Sequence, residues 1–233
     1  MRRETKKTFF ISGTDTDVGK TLVAAGLLYA ASAKGLTTAA IKPVAAGCEQ
    51  TEDGLRNSDA LMLQEAATLK LSYQQINSVA LQPAIAPHIA AEEAGQRLQA
   101  TRITGFCRGV LMQGADFTVI EGAGGWRVPL NGRETVADIA IELNTPVVLV
   151  VAMKLGCINH ALLTAEAIRR DGLPLAGWVA NRVDAQMSRF EENLATLQSL
   201  LPAPLLGVVP HLENPDPQLA ANHLDIEPLL SAS

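Results

Sequence analysis

Short apolar runs alternate with longer segments of helical periodicity along this chain of 233 residues. The apolar runs predict strands at residues 8–12, 38–41, 116–121, 146–152, 175–181 and 205–209. Apolar positions spaced along one helix face predict helices at residues 20–34, 60–67, 160–170 and 187–201. Such alternation is typical of a mostly parallel sheet with helices on both faces. We therefore predict an α/β fold, with residues 1–233 forming a single domain.

The composition supports a folded chain and excludes several other classes. With 48% hydrophobic residues and a formal net charge of -5, the chain is too apolar to be disordered. The acidic balance gives no net attraction to nucleic acid or to an anionic membrane. The longest apolar run, residues 146–153, is far shorter than the roughly 20 residues of a spanning helix. We therefore expect neither a nucleic-acid partner nor a membrane partner.

Cysteine usage and the start of the chain indicate the compartment. Cys48, Cys107 and Cys157 are widely separated and odd in number, which predicts reduced thiols and no disulfide framework. The start, residues 1–7, is basic, but the apolar piece at residues 9–11 is too short for a signal peptide. We therefore expect a cytoplasmic protein.

The segment from Gly13 to Thr21 carries the strongest chemical signal. It reads Gly-Thr-Asp-Thr-Asp-Val-Gly-Lys-Thr, follows a predicted strand and opens a predicted helix. That is the context of a P-loop, whose backbone N–H groups and helix dipole hold phosphate oxygens. Lys20 is then expected to reach the outer phosphates, and the Thr21 hydroxyl to bind Mg²⁺. Five residues separate Gly13 from Gly19, one more than in the usual motif.

Polar residues follow three other predicted strands, at the edge where ligands of parallel sheets bind. Glu121 precedes a glycine cluster, and its carboxylate is an oxygen ligand of the kind that Mg²⁺ takes. Lys42 can stabilise charge during phosphoryl transfer, although its position before Pro43 favours a surface lysine. Asn181 can pair with an adenine edge, but a plain turn residue fits its spacing equally well.

The remaining polar positions are ambiguous. Asp59 precedes a predicted helix, where it can be a helix cap or an acid in the first turn, and its spacing favours the cap over a Mg²⁺ ligand. Residues 154–160 combine a lysine with a predicted helix start, which is typical of an anion site. No third group orients Cys157 and His160 as a nucleophile and base, so we favour a buried thiol. Residues 72–104, interrupted by prolines, are predicted as a long loop with short helices near the site.

Together these motifs resemble the ATP-dependent dethiobiotin synthetase family, whose members have the P-loop NTPase fold. The resemblance covers nearly the whole chain, and the extra residue between the loop glycines is that family's own version. It rests on the segments at residues 13–21, 42–44, 56–59, 121–126, 154–160 and 177–181.

The resemblance implies a ligase of biotin biosynthesis that uses ATP and Mg²⁺. An amine of 7,8-diaminononanoate takes up CO₂, or bicarbonate as its source, to form a carbamate. The γ-phosphate of ATP activates that carbamate as a mixed anhydride. The neighbouring amine then closes the ureido ring, and dethiobiotin, ADP and phosphate are released. The family also implies a homodimer.

The resemblance also implies roles for individual residues. Lys42 and Lys20 are the expected catalytic residues, and Thr21, Asp59 and Glu121 are the expected Mg²⁺ ligands. The expected ATP-binding residues are Asp17, Val18, Gly19, Lys20, Thr21, Leu22, Asp59, Glu121, Gly122, Ala123, Gly124, Asn181, Arg182, Pro210, His211 and Leu212. The expected substrate-binding residues are Thr16, Gly156, Cys157 and Asn159, with the turn at residues 156–159 acting across the dimer interface.

Two positions depart from the family pattern and leave the substrate open. Ala46 stands where the family usually has a substrate-contacting serine, and Asp17 stands where glutamate is common. Losing one hydroxyl contact costs about 1 kcal/mol. A paralogue with a shifted substrate is therefore a competing hypothesis.

Two further groups of proteins share the fold but not the activity. An ATPase switch that partitions DNA or positions septa carries a lysine near the loop start, where this chain has Thr14 and Asp15. Such a switch also needs a membrane-binding helix or a basic face, which residues 218–233 do not supply. A cobalamin-pathway amidoligase has an additional glutaminase domain, for which 233 residues leave no room.

Overall fold

The structure is a computed structural model that describes residues 6–231, so residues 1–5 of the basic start lie outside it. Within that range the strands are β1 (Lys7–Gly13), β2 (Thr38–Ile41), β3 (Val44–Ala45), β4 (Glu49–Thr51), β5 (Gly54–Arg56), β6 (Val79–Ala80), β7 (Phe117–Gly125), β8 (Val147–Ala152), β9 (Leu175–Asn181) and β10 (Leu205–Val209). The helices are α1 (Lys20–Ala33), α2 (Ser58–Ala66), α3 (Tyr73–Ile76), α4 (Pro87–Glu93), α5 (Ala100–Leu111), α6 (Val136–Leu143), α7 (Cys157–Arg170), α8 (Phe190–Leu200), α9 (Pro217–Ala221) and α10 (Glu227–Ser231).

Six strands form one parallel sheet in the order β10-β9-β8-β1-β7-β2. All six are at positions where apolar runs predict strands, which confirms the α/β class. β1 lies inside the sheet between β7 and β8, whereas β2 is an edge strand. Because every pairing is parallel, the carboxyl ends of the six strands meet at one edge of the sheet.

The two faces of the sheet are packed by different helices. Along β1, Phe10 enters one apolar cluster, while Phe9 and Ile11 enter the other, as the alternation of side chains in a strand requires. Buried residues of α5, α6, α7 and α8 share the cluster of Phe10, and those of α1, α9 and α10 share the other. The prediction of helices on both faces is thus confirmed.

The chain between β2 and α5 makes an excursion that the sequence describes incompletely. It contains the parallel pair β3–β6, the antiparallel pair β4–β5 and the short helices α2, α3 and α4. The short helices α3 and α4 match the prediction for residues 72–104, but α5 begins within that range, at Ala100, and was not predicted. None of the helices at residues 6–231 is long and apolar enough to cross a membrane.

Several element boundaries differ from the predicted ones. α7 begins at Cys157 and not at residue 160, because Gly156 turns the chain with a φ of 95° directly before it. α8 begins at Phe190, three residues after its predicted start. β7 continues past Glu121 to Gly125, so Glu121 lies within the strand and does not end it.

Candidate active site

The loop between β1 and α1 has the geometry of an anion site. Gly19, the last residue before the helix, has a φ of 85°, and no described side chain caps the first turn of α1. The N–H groups at the start of this helix of 14 residues are therefore available to phosphate oxygens. A Cβ atom at Gly19 would lie 2.1 Å from Nδ2 of Asn181, so packing as well as conformation requires glycine.

Lys20 lies against this loop. Its Nζ atom donates a hydrogen bond to the carbonyl of Asp15 at 3.1 Å, and the side chain is buried. Burial lowers the pKa of Lys20, and the nearby charge of Lys42 acts in the same direction, although Glu121 opposes both. The positive charge of Lys20 is thus only partly compensated by the protein, and this favours the binding of an anion at the loop.

Lys42 lies between two carboxylates at the same edge of the sheet. Its Nζ atom donates to Oε1 of Glu121 at 2.5 Å and to Oδ2 of Asp59 at 3.0 Å. The side chains of Lys42 and Glu121 are 6% and 0% exposed, so the surface lysine favoured by spacing is wrong. The contact arises because β2 pairs with β7, which brings Ile41 opposite Ile120.

The carboxylates set the protonation state of this lysine. Burial on its own lowers the pKa of Lys42, but the charges and hydrogen bonds of Glu121 and Asp59 outweigh it and raise the pKa above its ordinary value. Lys42 is therefore an ammonium group at neutral pH, so it acts as a donor and a positive charge and not as a base.

The oxygen atoms around Lys42 fit a Mg²⁺ ion. The Thr21 hydroxyl donates to Oε1 of Glu121 at 2.9 Å, so the P-loop and β7 meet at this carboxylate. Oε2 of Glu121 is buried and has no hydrogen-bond partner within residues 6–231. Such a buried and unpartnered carboxylate oxygen calls for a cation.

Larger groups of metal-binding side chains are absent from the part of the chain that the structure describes. No group of three or more His, Cys, Asp and Glu side chains there could hold a metal. Mg²⁺ does not need such a group, because it commonly binds through one or two carboxylates together with phosphate oxygens and water. Thr21, Asp59 and Glu121 are thus suitable residues to hold it.

Asp59 is not the cap of α2 but an acid in its first turn, the other structural role that its spacing allows. The cap of α2 is Asn57, whose side chain accepts a hydrogen bond from the Ala60 N–H at 3.2 Å. Asp59 lies in the first turn of the helix, 43% exposed, and faces Lys42.

The residues expected around the base come together at the ends of β9 and β10. The Arg182 N–H donates to the Val209 carbonyl at 2.9 Å, and Nδ1 of His211 lies 3.3 Å from the Arg182 carbonyl. Nδ2 of Asn181 donates to the Val18 carbonyl at 2.8 Å. The amide nitrogen of Asn181 thus supports the P-loop, a role that spacing along the chain did not reveal. Recognition of the base by Asn181 stays a prediction.

The residues expected around the substrate follow two different strands of the sheet, and their role stays a prediction. Thr16 lies beside the glycine segment of β7, since a Cβ atom at Gly124 would be 3.3 Å from its Oγ1. The turn at residues 156–159 follows β8, and the hydrogen bonds described for it do not reach the P-loop. Within this turn Asn159 is exposed and Cys157 is buried. Thr16 and this turn lie at the same edge of the sheet, and no hydrogen bond is described between them.

The three cysteines are free and buried. Burial raises the pKa of the Cys157 thiol, and it raises that of Cys107 to about 12. A thiol with a raised pKa is a poor nucleophile, which agrees with the interpretation of Cys157 as a buried thiol.

Sequence reasoning missed a layer of polar residues behind Lys42. Asn57, Tyr73 and Asn77 are buried and hydrogen-bonded to one another or to the backbone of the site. The cap position of Asn57 before an apolar helix was a usable signal. Tyr73 and Asn77 lie in the excursion, where no periodic pattern relates them to β2.

Comparison with known proteins agrees with this geometry. A family model described as "AAA domain" matches residues 7–218. The chain is 63% identical to the ATP-dependent dethiobiotin synthetase BioD of Cellvibrio japonicus over 227 residues, which cover 97% of this chain and 99% of that protein. It is 52% identical to the protein of the same name from Aeromonas hydrophila over 224 residues, which cover 96% and 99% of the two chains.

Solved structures with a similar fold include ATPases of other groups. The cell division protein MinD of Aquifex aeolicus has a TM-score of 0.54 at 15% identity, covering 94% of this chain and 88% of that one. A ParA family ATPase of Chlorobium tepidum has a TM-score of 0.55 at 13% identity, covering 90% and 86%. Such low identities show only a shared fold. The relatives that are 52–63% identical show kinship over the whole length, and the chain therefore belongs to the ATP-dependent dethiobiotin synthetase family.

Proposed function

We propose that the chain catalyses the ATP- and Mg²⁺-dependent conversion of 7,8-diaminononanoate and CO₂ into dethiobiotin, ADP and phosphate, a step of biotin biosynthesis. The chain is a member of that family, and one observation in its site is the main support for the proposal. A buried, charged Lys42 is held by Glu121 and Asp59 directly beside the P-loop, and Thr21 contacts the same carboxylate. We propose that residues 1–233 form one domain with this activity.

The reaction brings two anions, a carbamate and a triphosphate, into contact. Lys20, Lys42 and the N–H groups at the start of α1 supply fixed positive charge and donors at the place where they meet. Mg²⁺ held by Thr21, Asp59 and Glu121 would add charge neutralisation at the phosphates. Because Lys42 stays protonated, it stabilises negative charge on the transferring group and removes no proton from the amine.

We assign the base of ATP to the ends of β9 and β10. Asn181, Arg182 and residues 210–212 meet there, next to the P-loop, at the end of the site farthest from Lys42 in strand order. We assign Asp17, Leu22 and residues 122–124 to the phosphates, because they lie at the same sheet edge as the P-loop. The three unpaired thiols support a cytoplasmic location.

We further propose that the active form is a homodimer in which the turn at residues 156–159 holds the carboxylate of the substrate, with Thr16 nearer the reacting amines. Gly156 and Cys157 begin a helix of 14 residues whose first turn has no described side-chain cap, which favours an anion. Beside this turn, Leu155 is 95% exposed, and we propose that it lies in the contact with the second copy.

The test is a product assay with purified protein, MgATP, 7,8-diaminononanoate and bicarbonate. We expect dethiobiotin, detected by mass, in a one-to-one ratio with ADP, and no turnover when the diamine or bicarbonate is omitted. ATP hydrolysis at the same rate without the diamine, or hydrolysis stimulated by DNA or lipid, would contradict the proposal. Such a result would favour an ATPase switch.

The competing function is a related reaction with a different substrate, and the environment of Ala46 is the reason to test it. Ala46 is half-buried against the apolar cluster on the α5 face of the sheet, and its carbonyl accepts a hydrogen bond from Nδ2 of Asn57 at 3.2 Å. No hydroxyl is available at this position. Diamines of different chain length, compared in the same assay, distinguish the two cases, because a clear preference for another length would favour the shifted substrate.

A further inference from the structure

We propose that Asn57, Tyr73 and Asn77, here called the polar network, position Lys42 and Asp59 for the reaction. The proposal rests on the proposed function, since it concerns the same site. All three side chains are buried although each is polar. Buried polar groups are costly unless they are hydrogen-bonded, so their partners indicate what they hold in place.

The polar network holds the backbone of Lys42 from two directions. Nδ2 of Asn77 donates to the Lys42 carbonyl at 2.8 Å and to the Val79 carbonyl at 3.0 Å. The Lys42 N–H donates to the carbonyl of Ile76 at 2.8 Å. Both backbone polar groups of the proposed catalytic lysine are therefore bound by the end of α3 and the residue that follows it.

The polar network continues from Asn77 to the start of α2. The Tyr73 hydroxyl lies 3.1 Å from Oδ1 of Asn77 and accepts a hydrogen bond from the Asn57 N–H at 2.8 Å. Asn57 in turn caps α2 through Ala60, and Asp59 lies in the first turn of that helix. One tyrosine hydroxyl thus connects the segment that carries Lys42 to the helix that carries Asp59.

The sheet alone does not fix this geometry. β2 is an edge strand, so Lys42 leaves it with a neighbouring strand on one side only. Asp59 belongs to the excursion and is not part of the main sheet. The 3.0 Å contact between Nζ of Lys42 and Oδ2 of Asp59 therefore depends on groups that join the two segments. Misplacement by about 1 Å can slow a reaction by about a hundredfold, so such groups affect the rate directly.

The main test variant is Tyr73→Phe, which removes the connecting hydroxyl and keeps the ring that packs under the guanidinium of Arg56. The matched control is Thr104→Val, which removes a fully buried hydroxyl that hydrogen-bonds to Thr101 and Glu142 between α5 and α6. Both variants lose one buried hydroxyl with two partners. Only the first loss lies behind the site.

We expect Tyr73→Phe to lower kcat by about tenfold or more, the usual effect of removing a group that orients a functional side chain. The KM for ATP should change little, because the P-loop is untouched. Calorimetry measures how much Mg²⁺ raises the affinity for a non-hydrolysable ATP analogue. In Tyr73→Phe this gain should be about tenfold smaller than in the wild type, while the affinity without Mg²⁺ stays the same. Thr104→Val should lower Tm and leave these values as in the wild type.

A second variant, Asn77→Ala, tests whether the residues act as one unit. Combined with Tyr73→Phe it should lower kcat no further than Asn77→Ala alone, because groups in one hydrogen-bond network are not additive. If Tyr73→Phe lowers Tm but keeps the kcat and the Mg²⁺-dependent affinity of the wild type, the polar network is merely structural and the proposal is wrong. If the wild type forms no dethiobiotin, the proposed function fails, and the Mg²⁺-dependent affinity alone decides about the network.

Discussion

At the scale of the residue, the predictable part of the site is the part built from one local segment. Lys20 and Thr21 follow from a motif between a strand and a helix, because nine consecutive residues determine that geometry. Lys42 and Asp59 do not follow in this way. Their roles depend on β2 lying beside β7 and on the loop before α2, and spacing along the chain contains neither fact.

The first prediction concerns the lysine between the two carboxylates. Lys42→Ala should lower kcat by about a hundredfold or more, because it removes a fixed charge at the transferring group, while ATP binding remains within a few-fold of the wild type. Steady-state kinetics and calorimetry measure the two effects. Lys34→Ala, which breaks a surface ion pair with Glu227, is the control and should leave kcat unchanged. Normal turnover in Lys42→Ala would remove this residue from its proposed role.

The second prediction concerns the last residue of the loop. Gly19→Ala should weaken ATP binding by more than about tenfold, because its Cβ atom would lie 2.1 Å from the amide of Asn181. Gly35→Ala is a matched control: Gly35 has a similar φ of 80°, but no atom lies within 4 Å of the added Cβ. It should cost about 1 kcal/mol of stability and leave ATP binding intact. Equal losses of binding in both variants would show that the contact with Asn181 is unimportant.

At the scale of the element, strands were easier to predict than helices. The six strands of the main sheet are apolar runs, because both of their faces are buried. α5 was missed because glycine and threonine residues lower its helix propensity, although Ile103, Cys107 and Val110 have the spacing of a buried face. β4 and β5 are short, polar and exposed or half-buried, so they show no pattern that distinguishes them from a loop.

One interaction joins two of these elements at a distance from the sheet. Asp171, at the end of α7, accepts a hydrogen bond from Nε1 of Trp126 at 2.7 Å and pairs with Arg127, just after β7. Burial on its own raises the pKa of Asp171, but the hydrogen bonds from Arg127 and Trp126 outweigh it and lower the pKa. This interaction anchors the segment that follows the glycines of β7.

The third prediction follows from that lowered pKa. Between the folded and the unfolded pKa of Asp171, the folded state binds fewer protons than the unfolded state. The stabilisation by the Asp171 charge is therefore complete above the unfolded pKa of about 3.9, and it is lost as the pH falls through the folded pKa. Asp171→Asn should therefore lower the free energy of unfolding by about 1 kcal/mol at pH 7, and the difference from the wild type should shrink below about pH 4. Urea titrations at pH 7 and at pH 3 measure the free energy of unfolding of the variant and of the wild type.

The control for this prediction is Asp53→Asn, at an exposed position in the β4–β5 turn. It should change stability by about 0.5 kcal/mol or less. A loss of stability in Asp171→Asn that is the same at pH 7 and at pH 3 would contradict the role of the charge.

At the scale of the whole molecule, the alternation of strands and helices predicted a parallel sheet and the edge where the site lies. It did not predict the strand order, in which some strands that are neighbours in sequence, such as β1 and β2, do not pair. It also says nothing about a second copy of the chain. In the single chain, the side chain of Leu155 is exposed to solvent at the edge of the site.

The fourth prediction concerns this surface. Leu155→Asp should convert the proposed homodimer into a monomer, because it places a charge in an apolar contact, and should lower dethiobiotin formation by about tenfold or more. Light scattering after size-exclusion chromatography measures the mass. Leu200→Asp, at an exposed leucine at the end of α8, is the control and should keep the mass of the wild type. A monomeric wild type with full activity would refute the homodimer.

The position of β1 inside the sheet has a consequence for the order in which the molecule forms during translation. The strand that leads into the P-loop has no partner until β7 and β8, at residues 117–125 and 147–152, have been synthesised. α1, which follows the loop, is packed by α9 and α10 near the end of the chain. Contacts of such long sequence separation close late. A nascent chain therefore contains its nucleotide loop early but orders that loop only after residues 217–231 have been synthesised.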